Sequence, residues 1–424
     1  MPLYVSKIKN NKIFDQNMLN KKFNENNNKE YFYSMFLKRK RIEKGLKLQE
    51  VASGICSISY LSRVENNQSI PSEDNLEMLF ERLDLNYNEI KRKRNNDVFD
   101  DLLKNELSEK NEDMIAIMSN IISSNAYSNI ELDLFVLYVS LLSKNYEEAR
   151  YILIRQEVNV ELFNNKEMLF YLYLFCRYLF ETNQNKRAYE QIKVLNSINH
   201  HDDFMKAIIY DLSIEVAFMM GEYEQVIKFF YLLNQNENSY LFVNKINMLK
   251  LKCLVANAKF NFEETLSEFE KIKKVIDINN KEIKNKYLYY LAVAYYKNNV
   301  YDKCFEIVKD LIEFMPSVAL YGFLVKKIGN NSEKATYLAK IKNMHFRKFD
   351  YLYEEFSQYI SLSLRNENLY QLYNFLKQKV LTHNSLFYDA IVKDLAIREL
   401  ISIGMSSSKY KETLRFIEDN QVKS

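Results

Sequence analysis

Apolar positions in the first quarter of the chain recur at helical spacing in short, punctuated blocks. Phe32, Phe36, Leu37 and Ile42 lie within Tyr31–Lys44, around the basic run Lys38, Arg39, Lys40 and Arg41, and Gly45 marks the end of that helix. LKLQEVAS then predicts a short second helix. GICS reads as a turn with Ser57 as N-cap, and ISYLSRVEN predicts a third helix. NQSIPS is a loop whose Pro71 opens a fourth helix at about Ser72–Leu83, and LDLNYNEI begins a fifth. Five short helices in so few residues predict a compact domain over 31–90. Leu46, Leu48, Val51, Ala52, Ile55, Ile58, Leu61, Val64, Leu76, Leu79 and Leu83 have the spacing of its core.

Beyond about residue 105 the pattern changes from punctuated blocks to a repeat. A short segment recurs in which a small or medium residue opens an amphipathic helix: YEEARYILI at Ala149, NKRAYEQIKVL at Ala188, YEQVIKFFYLL at Val226, FEETLSEFEKI at Thr265 and YDKCFEIVKDL at Cys304. The steps between those positions are 39, 38, 39 and 39 residues. Weaker copies follow at Ala335, Tyr373 and Thr413. Each copy is preceded by a more apolar helical stretch, such as MLFYLYLFCRYLF. Two antiparallel helices per repeat fit the period, with the marked residue where the second helix approaches the first and a large side chain would push them apart. One pair cannot bury its own apolar faces, so neighbours must stack. The expected fold is all-α: a compact N-terminal domain of short helices followed by a tetratricopeptide-like right-handed superhelix of stacked helix pairs. A non-repetitive helical bundle is the plainer alternative, and the near-equal steps argue against it.

Composition supports helices and little else. Only 6 glycines and 3 prolines occur in 424 residues, fewer than sheet or nucleotide-binding folds need for their turns. A genome rich in Asn, Lys, Ile and Tyr codons would produce the same scarcity. The formal net charge of +3 is too small to argue for nucleic acid in bulk, so that case needs a local motif. Residues 1–30 read as an Asn/Lys-rich flexible extension, and 91–105, with KRKR at Lys91–Arg94, as a linker or an added phosphate contact. Cys56, Cys176, Cys253 and Cys304 form no CxxC pair and read as small hydrophobes in a reducing compartment. The N-terminal stretch has no signal-peptide core and no apolar run spans a membrane, so a cytoplasmic location and no membrane partner are expected.

The chemistry of the first domain centres on its third helix. Once the core positions are assigned, Gln49, Ser57, Ser59, Tyr60, Ser62 and Arg63 remain as polar or aromatic groups on or beside it. Ser59, Tyr60 and Arg63 are placed to meet base edges, and Gln49 to meet phosphate at a helix N-terminus. Lys38, Arg41, Asn66 and Asn67 are further phosphate candidates. Glu65 is an acid in a DNA-facing segment, which a structural pair with Arg41 would explain.

The segment LKLQEVASGICSISYLSRVENNQSIPSEDNLEMLFERLDL resembles the Cro/C1 (XRE) helix-turn-helix family over about residues 33–90. GICSISYLSRVENNQSIPS, joined to the repeats behind it, is similar to the peptide-responsive quorum-sensing regulators of the Rap–Rgg–NprR–PlcR–PrgX superfamily. The resemblance implies a homodimer on a palindromic double-stranded operator and a short linear signalling peptide held by a repeat domain over 106–424, which also dimerises through about 335–424. The composition resembles clostridial members that repress toxin genes and promote sporulation. In that frame Arg177, Asn247, Lys250, Asn257, Tyr289 and Tyr296 are candidate peptide contacts. Each Asn is equally a solvated helix position, and each Tyr a core residue. The repeats could instead bind a protein such as a response regulator of a sporulation phosphorelay, or serve as the scaffold of an orphan dimeric repressor. No phosphate-cradling glycine loop, HExxH or nucleophile triad is present, so no enzyme and no cofactor are expected. His200, His201, Asp202 and Asp203 form a polar loop more readily than a metal site, and His345 and His383 have no evident partners.

Overall fold

The computed structural model describes residues 29–66, 68–88, 129–157, 159–160, 163–200, 202–236, 243–347, 349–381 and 389–421. Of the extension expected over 1–30, residues 1–28 lie outside the described residues, as do the linker over 91–105, Asn67, His201 and His383, while Lys29 and Glu30 already belong to the first helix. Among the described residues every regular element is helical. The chain forms two compact units, 1–178 with 191–205, and 179–190 with 206–424.

The first unit opens with four helices: α1 (Lys29–Glu43), α2 (Leu48–Ala52), α3 (Ile58–Glu65) and α4 (Glu73–Glu81). Ser57 caps α3, its Oγ accepting the Tyr60 N–H at 3.1 Å, and Ser72 caps α4 in the same way from Asn75. Helix α1 packs on α3 and α4, and α2 packs on α3. Val51, Ala52, Leu61, Val64, Leu76, Leu79 and Leu83 are buried as the periodicity requires. Leu46, Leu48 and Ile55 are only half-buried, and Ile42 and Ile58 point outward. Both isoleucines sit near a helix end, where the neighbours needed to cover them run out. An aromatic cluster of Tyr33, Phe36, Phe80 and Tyr87, with ring centroids 5.2–6.3 Å apart, ties α1 to α4 and to the helical residue Tyr87 beyond it.

Helices α5 (Asn129–Leu142), α6 (Tyr146–Glu157), α7 (Asn165–Glu181), α8 (Asn185–Ser197), α9 (Asp203–Met220) and α10 (Tyr223–Asn234) follow, then α11 (Val243–Asn257), α12 (Phe262–Lys273), α13 (Lys281–Lys297) and α14 (Tyr301–Val308). Ala149, Ala188, Val226, Thr265 and Cys304 are each the fourth residue of a second helix, and all five are buried. The turns within pairs are built alike. Lys144, Asn183, Gly221 and Asn299 each stand five residues before the marked position with φ between 57° and 74°. The next N–H returns to a carbonyl five residues back, as in Asn145 to Ser140, Gln184 to Leu179, Glu222 to Ala217 and Val300 to Tyr295. Asparagine tolerates this left-handed conformation better than most side chains, which lets a glycine-poor chain make the turn repeatedly. Only at Gly221 is glycine also required for space, since a Cβ there would lie 2.9 Å from that of Ala390.

The turn before Thr265 lacks a left-handed residue. Its exposed carbonyls are satisfied from the next pair instead: Lys297 Nζ donates to Val255 O at 3.2 Å and Asn298 Nδ2 to Ala258 O at 3.0 Å.

The second unit ends with α15 (Met315–Ile328), α16 (Asn331–Lys342), α17 (Tyr351–Leu364), α18 (Leu369–Phe375) running into a π-helical turn at Leu376–Leu381, α19 (Ala390–Ser406) and α20 (Tyr410–Gln421). Within this unit α11, α13 and α15 each receive the second helix of the preceding pair, and α11 packs on α13. Ala335 is not the close-approach residue expected there, being exposed on α16. Tyr337 faces the first helix instead, and Gly322 of α15 makes room for it: a Cβ on Gly322 would lie 2.4 Å from the Tyr337 hydroxyl oxygen. Tyr373 and Thr413 are buried as expected, and Gly404 admits Thr413.

Candidate nucleic-acid interface

The candidate recognition surface is one face of α3. Ser59, Ser62, Arg63 and Asn66 stand at i, i+3, i+4 and i+7, which places them on one side of the helix. Ser59, Arg63 and Asn66 are exposed and Ser62 is half-buried. Leu61, Val64 and Glu65 occupy the opposite side and are buried. Tyr60 lies between the two faces, half-buried. Ser57 is exposed at the helix start, where its oxygen already accepts a backbone N–H while its own hydroxyl hydrogen stays available to a partner. Gln49 is exposed in the first turn of α2.

The only acid of α3 is Glu65, and it is removed from the exposed face by α1. Arg41 Nε and Nη2 donate to its two carboxylate oxygens at 2.7 Å each, and Arg41 Nη1 donates to Leu46 O at 2.8 Å. The hydrogen bond to Glu65 raises the pKa of Arg41 further and locks the guanidinium in its charged form. Three of the five N–H donors of Arg41 are thus used inside the domain, which leaves it less available to a phosphate than the other basic residues of α1. The pair ties α1, the α2 approach and α3 into one rigid frame. It leaves Arg63 with no carboxylate partner among the described residues.

The rest of the basic run on α1 divides its work. Lys38 Nζ reaches Asn66 Oδ1 at 2.9 Å and so stands at the end of the recognition face. Lys40 pairs with Glu43 at 2.7 Å, and Arg39 with the same carboxylate at 2.8 Å. The charge of the domain is polarised along its sequence. Between 37 and 65 lie seven Lys/Arg and three acids; between 66 and 90 lie one arginine and six acids. A domain of nearly balanced charge therefore carries its cations on α1, in the turn that follows it and, through Arg63, on α3 itself.

Such a face has the chemistry of major-groove reading. A helix fits the groove, an unpaired guanidinium can donate two hydrogen bonds to a guanine edge, and hydroxyls serve either as donors or as acceptors.

The candidate peptide contacts differ in exposure and in the neighbours each one meets. Arg177 is half-buried, with its guanidinium 5.7 Å from the Tyr138 ring centroid. Asn247 is half-buried and Asn257 is exposed at the end of α11. Lys250 is paired with Glu268 at 2.7 Å, and this bond, with that from Lys271, holds the Glu268 carboxyl down at about 2. Tyr289 and Tyr296 are packed in the core and present no surface to a ligand. The Tyr289 ring lies tilted against Phe314, centroids 5.6 Å apart, and the Tyr296 hydroxyl donates to Asp394 of α19 at 2.6 Å. The periodicity that placed both on an inward side could not reveal that later helices of the same unit cover it.

Cys176, Cys253 and Cys304 are buried free thiols, and burial raises the pKa of each. Among the described residues no three His, Cys, Asp or Glu side chains are grouped as a metal site. Asp202 instead accepts the Met205 N–H at 2.9 Å at the start of α9. Among the described residues no helix is long and apolar enough to cross a membrane.

The helix-turn-helix family matches residues 37–90, the segment that carries α2, α3 and α4. No curated protein and no solved structure matches the chain. Sequence match and geometry coincide on the same face, and the N-terminal domain is a helix-turn-helix of DNA-binding, regulatory type.

Proposed function

We propose that the chain is a transcription regulator whose helix-turn-helix domain, over 31–90, reads a palindromic operator as a homodimer while its helix-pair array, over 106–424, binds a short linear peptide. The observation that carries the DNA half is the exposed face of α3, with Arg63 uncompensated and the lone acid of the helix turned inward onto Arg41. Ser59, Ser62 and Arg63 serve as base contacts, with Tyr60 beside them. Lys38, Gln49, Ser57, Asn66 and Asn67 serve as backbone contacts. A two-fold dimer would set two such helices about one turn of DNA apart, roughly 34 Å.

Peptide gating rests on the resemblance to peptide-responsive regulators and on the repeat spacing, and control of sporulation and toxin genes on that resemblance alone. Arg177, Asn247 and Asn257 remain the contacts best placed for a peptide, because their side chains retain exposure. One observation favours the scaffold reading for part of the array: the Tyr296 side of α13 is filled by the chain's own α19.

Arg63→Ala tests the DNA half. Duplexes selected by the wild-type protein from a random pool serve as probe, titrated at fixed salt. The expected loss is about 10- to 100-fold, the value of one bidentate base contact. Unchanged affinity would remove α3 as the recognition helix. Calorimetric titration with culture-supernatant peptides tests the gating half, and its absence of heat alongside intact DNA binding would leave the scaffold reading.

A further inference from the structure

Arg39 belongs to the basic run of α1 yet does not serve the recognition face. Its guanidinium lies between Glu43 on its own helix and the side chain of Asn159, in the segment that follows α6. Both partners belong to the first unit. Asn159 is buried and stands at the head of a chain of hydrogen bonds. Arg39 Nη1 donates to Asn159 Oδ1. Asn159 Nδ2 donates to Gln156 Oε1 at 2.8 Å, and Gln156 Nε2 donates to Asp133 Oδ2 on α5, whose other oxygen accepts from Arg155.

Every bond in this chain runs the same way, from the guanidinium towards the carboxylate. That direction has a consequence for both amides. Asp133 can only accept, so Gln156 must turn its NH2 towards it and its oxygen towards Asn159. Asn159 must then turn its own NH2 inward and its oxygen outward to Arg39. A bond chain of uniform direction is also mutually polarising. The carboxylate on α5 thus fixes, through two buried amides, an acceptor aimed at the helix-turn-helix domain. Burial pushes the Asp133 carboxyl up, against the pull of Arg155 and Gln156.

We propose that Arg39 and Asn159 form a clasp that sets the orientation of the DNA-binding domain on the first helix pair of the array, with Asp133 and Gln156 as positioning residues. The consequence for operator binding rests on the DNA reading above; the clasp itself does not. A single charge-assisted bond is strong enough to bias an orientation and weak enough to be released by a change in the pair that carries it.

The test uses the full chain in a Cys56→Ser background, with spin labels on cysteines introduced at Asp74 on α4 and at Ser143 after α5. Asn159→Leu and Arg39→Gln should each raise the population of broadened, undocked distances about tenfold or more. Asn159→Leu combined with Arg39→Gln should go no further than either alone, since both remove one interaction. Asn159→Asp, which keeps the outward acceptor, should stay docked. Asp133→Asn frees the two amides to turn round and should loosen the domain although it touches neither clasp residue. Unaltered distance distributions in Asn159→Leu and Arg39→Gln overturn the clasp, as does additive broadening in the double variant. On selected duplexes, clasp variants should accept half-sites at altered spacing, whereas Arg63→Ala loses them at every spacing. A wild-type protein that selects no DNA sequence but shows the label response refutes the DNA reading and leaves the clasp intact.

Discussion

The helix pairs from α5 to α14 and the α15–α16 pair solve the same packing problem in opposite ways. In the earlier pairs the fourth residue of the second helix is small or medium and fully buried, as at Ala188 and Val226. In the α15–α16 pair the sizes are exchanged: glycine at 322 on the first helix receives the whole ring of Tyr337 from the second. The period shortens at the same point, and the last first-helix differs in its surroundings as well. From Ala390 to Ile401 α19 has no exposed residue, which is equally true of α7 and α9, so what sets it apart is its polar contacts. Acids on or capping it meet tyrosines of two other helices: Asp389 accepts from Tyr353 at 2.8 Å, Asp394 from Tyr296 at 2.6 Å, and Glu399 from Tyr359 at 2.5 Å. A stacked pair needs only a total volume at the contact, not a particular owner for it. Regular spacing therefore reports on one solution and falls silent where the other is used.

Four substitutions, one of them used in combination, probe that contrast in falling order of effect. Glu399→Ala removes the acceptor of both Tyr359 and Lys326 within a mostly buried site. About 3 kcal/mol of stability should be lost, and urea unfolding of the full chain would show it as a lower midpoint. A loss under about 1 kcal/mol would mean that α19 is less enclosed than its neighbours imply. Gly322→Ala forces a methyl group against the Tyr337 hydroxyl and should cost about 1–3 kcal/mol. Tyr337→Phe removes the colliding oxygen, so the double variant should recover part of that loss, and the same unfolding series reads it. If Gly322→Ala proves neutral, the exchange of sizes is not what holds this pair. The smallest effect belongs to the regular pairs. Lys144 occupies a left-handed turn at φ 58°, and Lys144→Gly should stabilise by up to about 1 kcal/mol, seen as a rise in Tm. A fall would point to an unrecognised contact of the lysine stem.

The helix-turn-helix domain shows how far local pattern carries. The helices, the Ser57 cap and the Arg41–Glu65 pair were all legible, because a cap is a local event and an acid on a DNA-facing helix demands a partner. The exposure of Ile58 and Ile42, and the cluster of Tyr33, Phe80 and Tyr87 that ties α1 to α4, were not. Periodicity assigns a side chain to a face but cannot say whether another helix reaches that far along it. Arg41 taught the same limit from the polar side, since a basic residue at the right spacing was already committed to Glu65. In the array the five marked positions were read correctly for the same local reason, while Ala335 was displaced by Tyr337 once the glycine that accommodates it lay on another helix.

The sequence alone determined what depends on neighbours along the chain: helices, caps, the period of the pairs and the residue types on the face of α3. Asparagine in place of glycine at the turns belongs to that class, although its role became visible only with the φ angles. Tertiary structure decided whatever depends on which helix lies opposite. It buried Tyr289 and Tyr296, turned Arg41 inward and Arg39 towards Asn159, and left Arg63 facing outward without a counter-charge among the described residues. A side chain's periodicity is set by its own backbone, but its freedom to bind is set by partners that stand, for Arg39 and Asn159, 120 residues away.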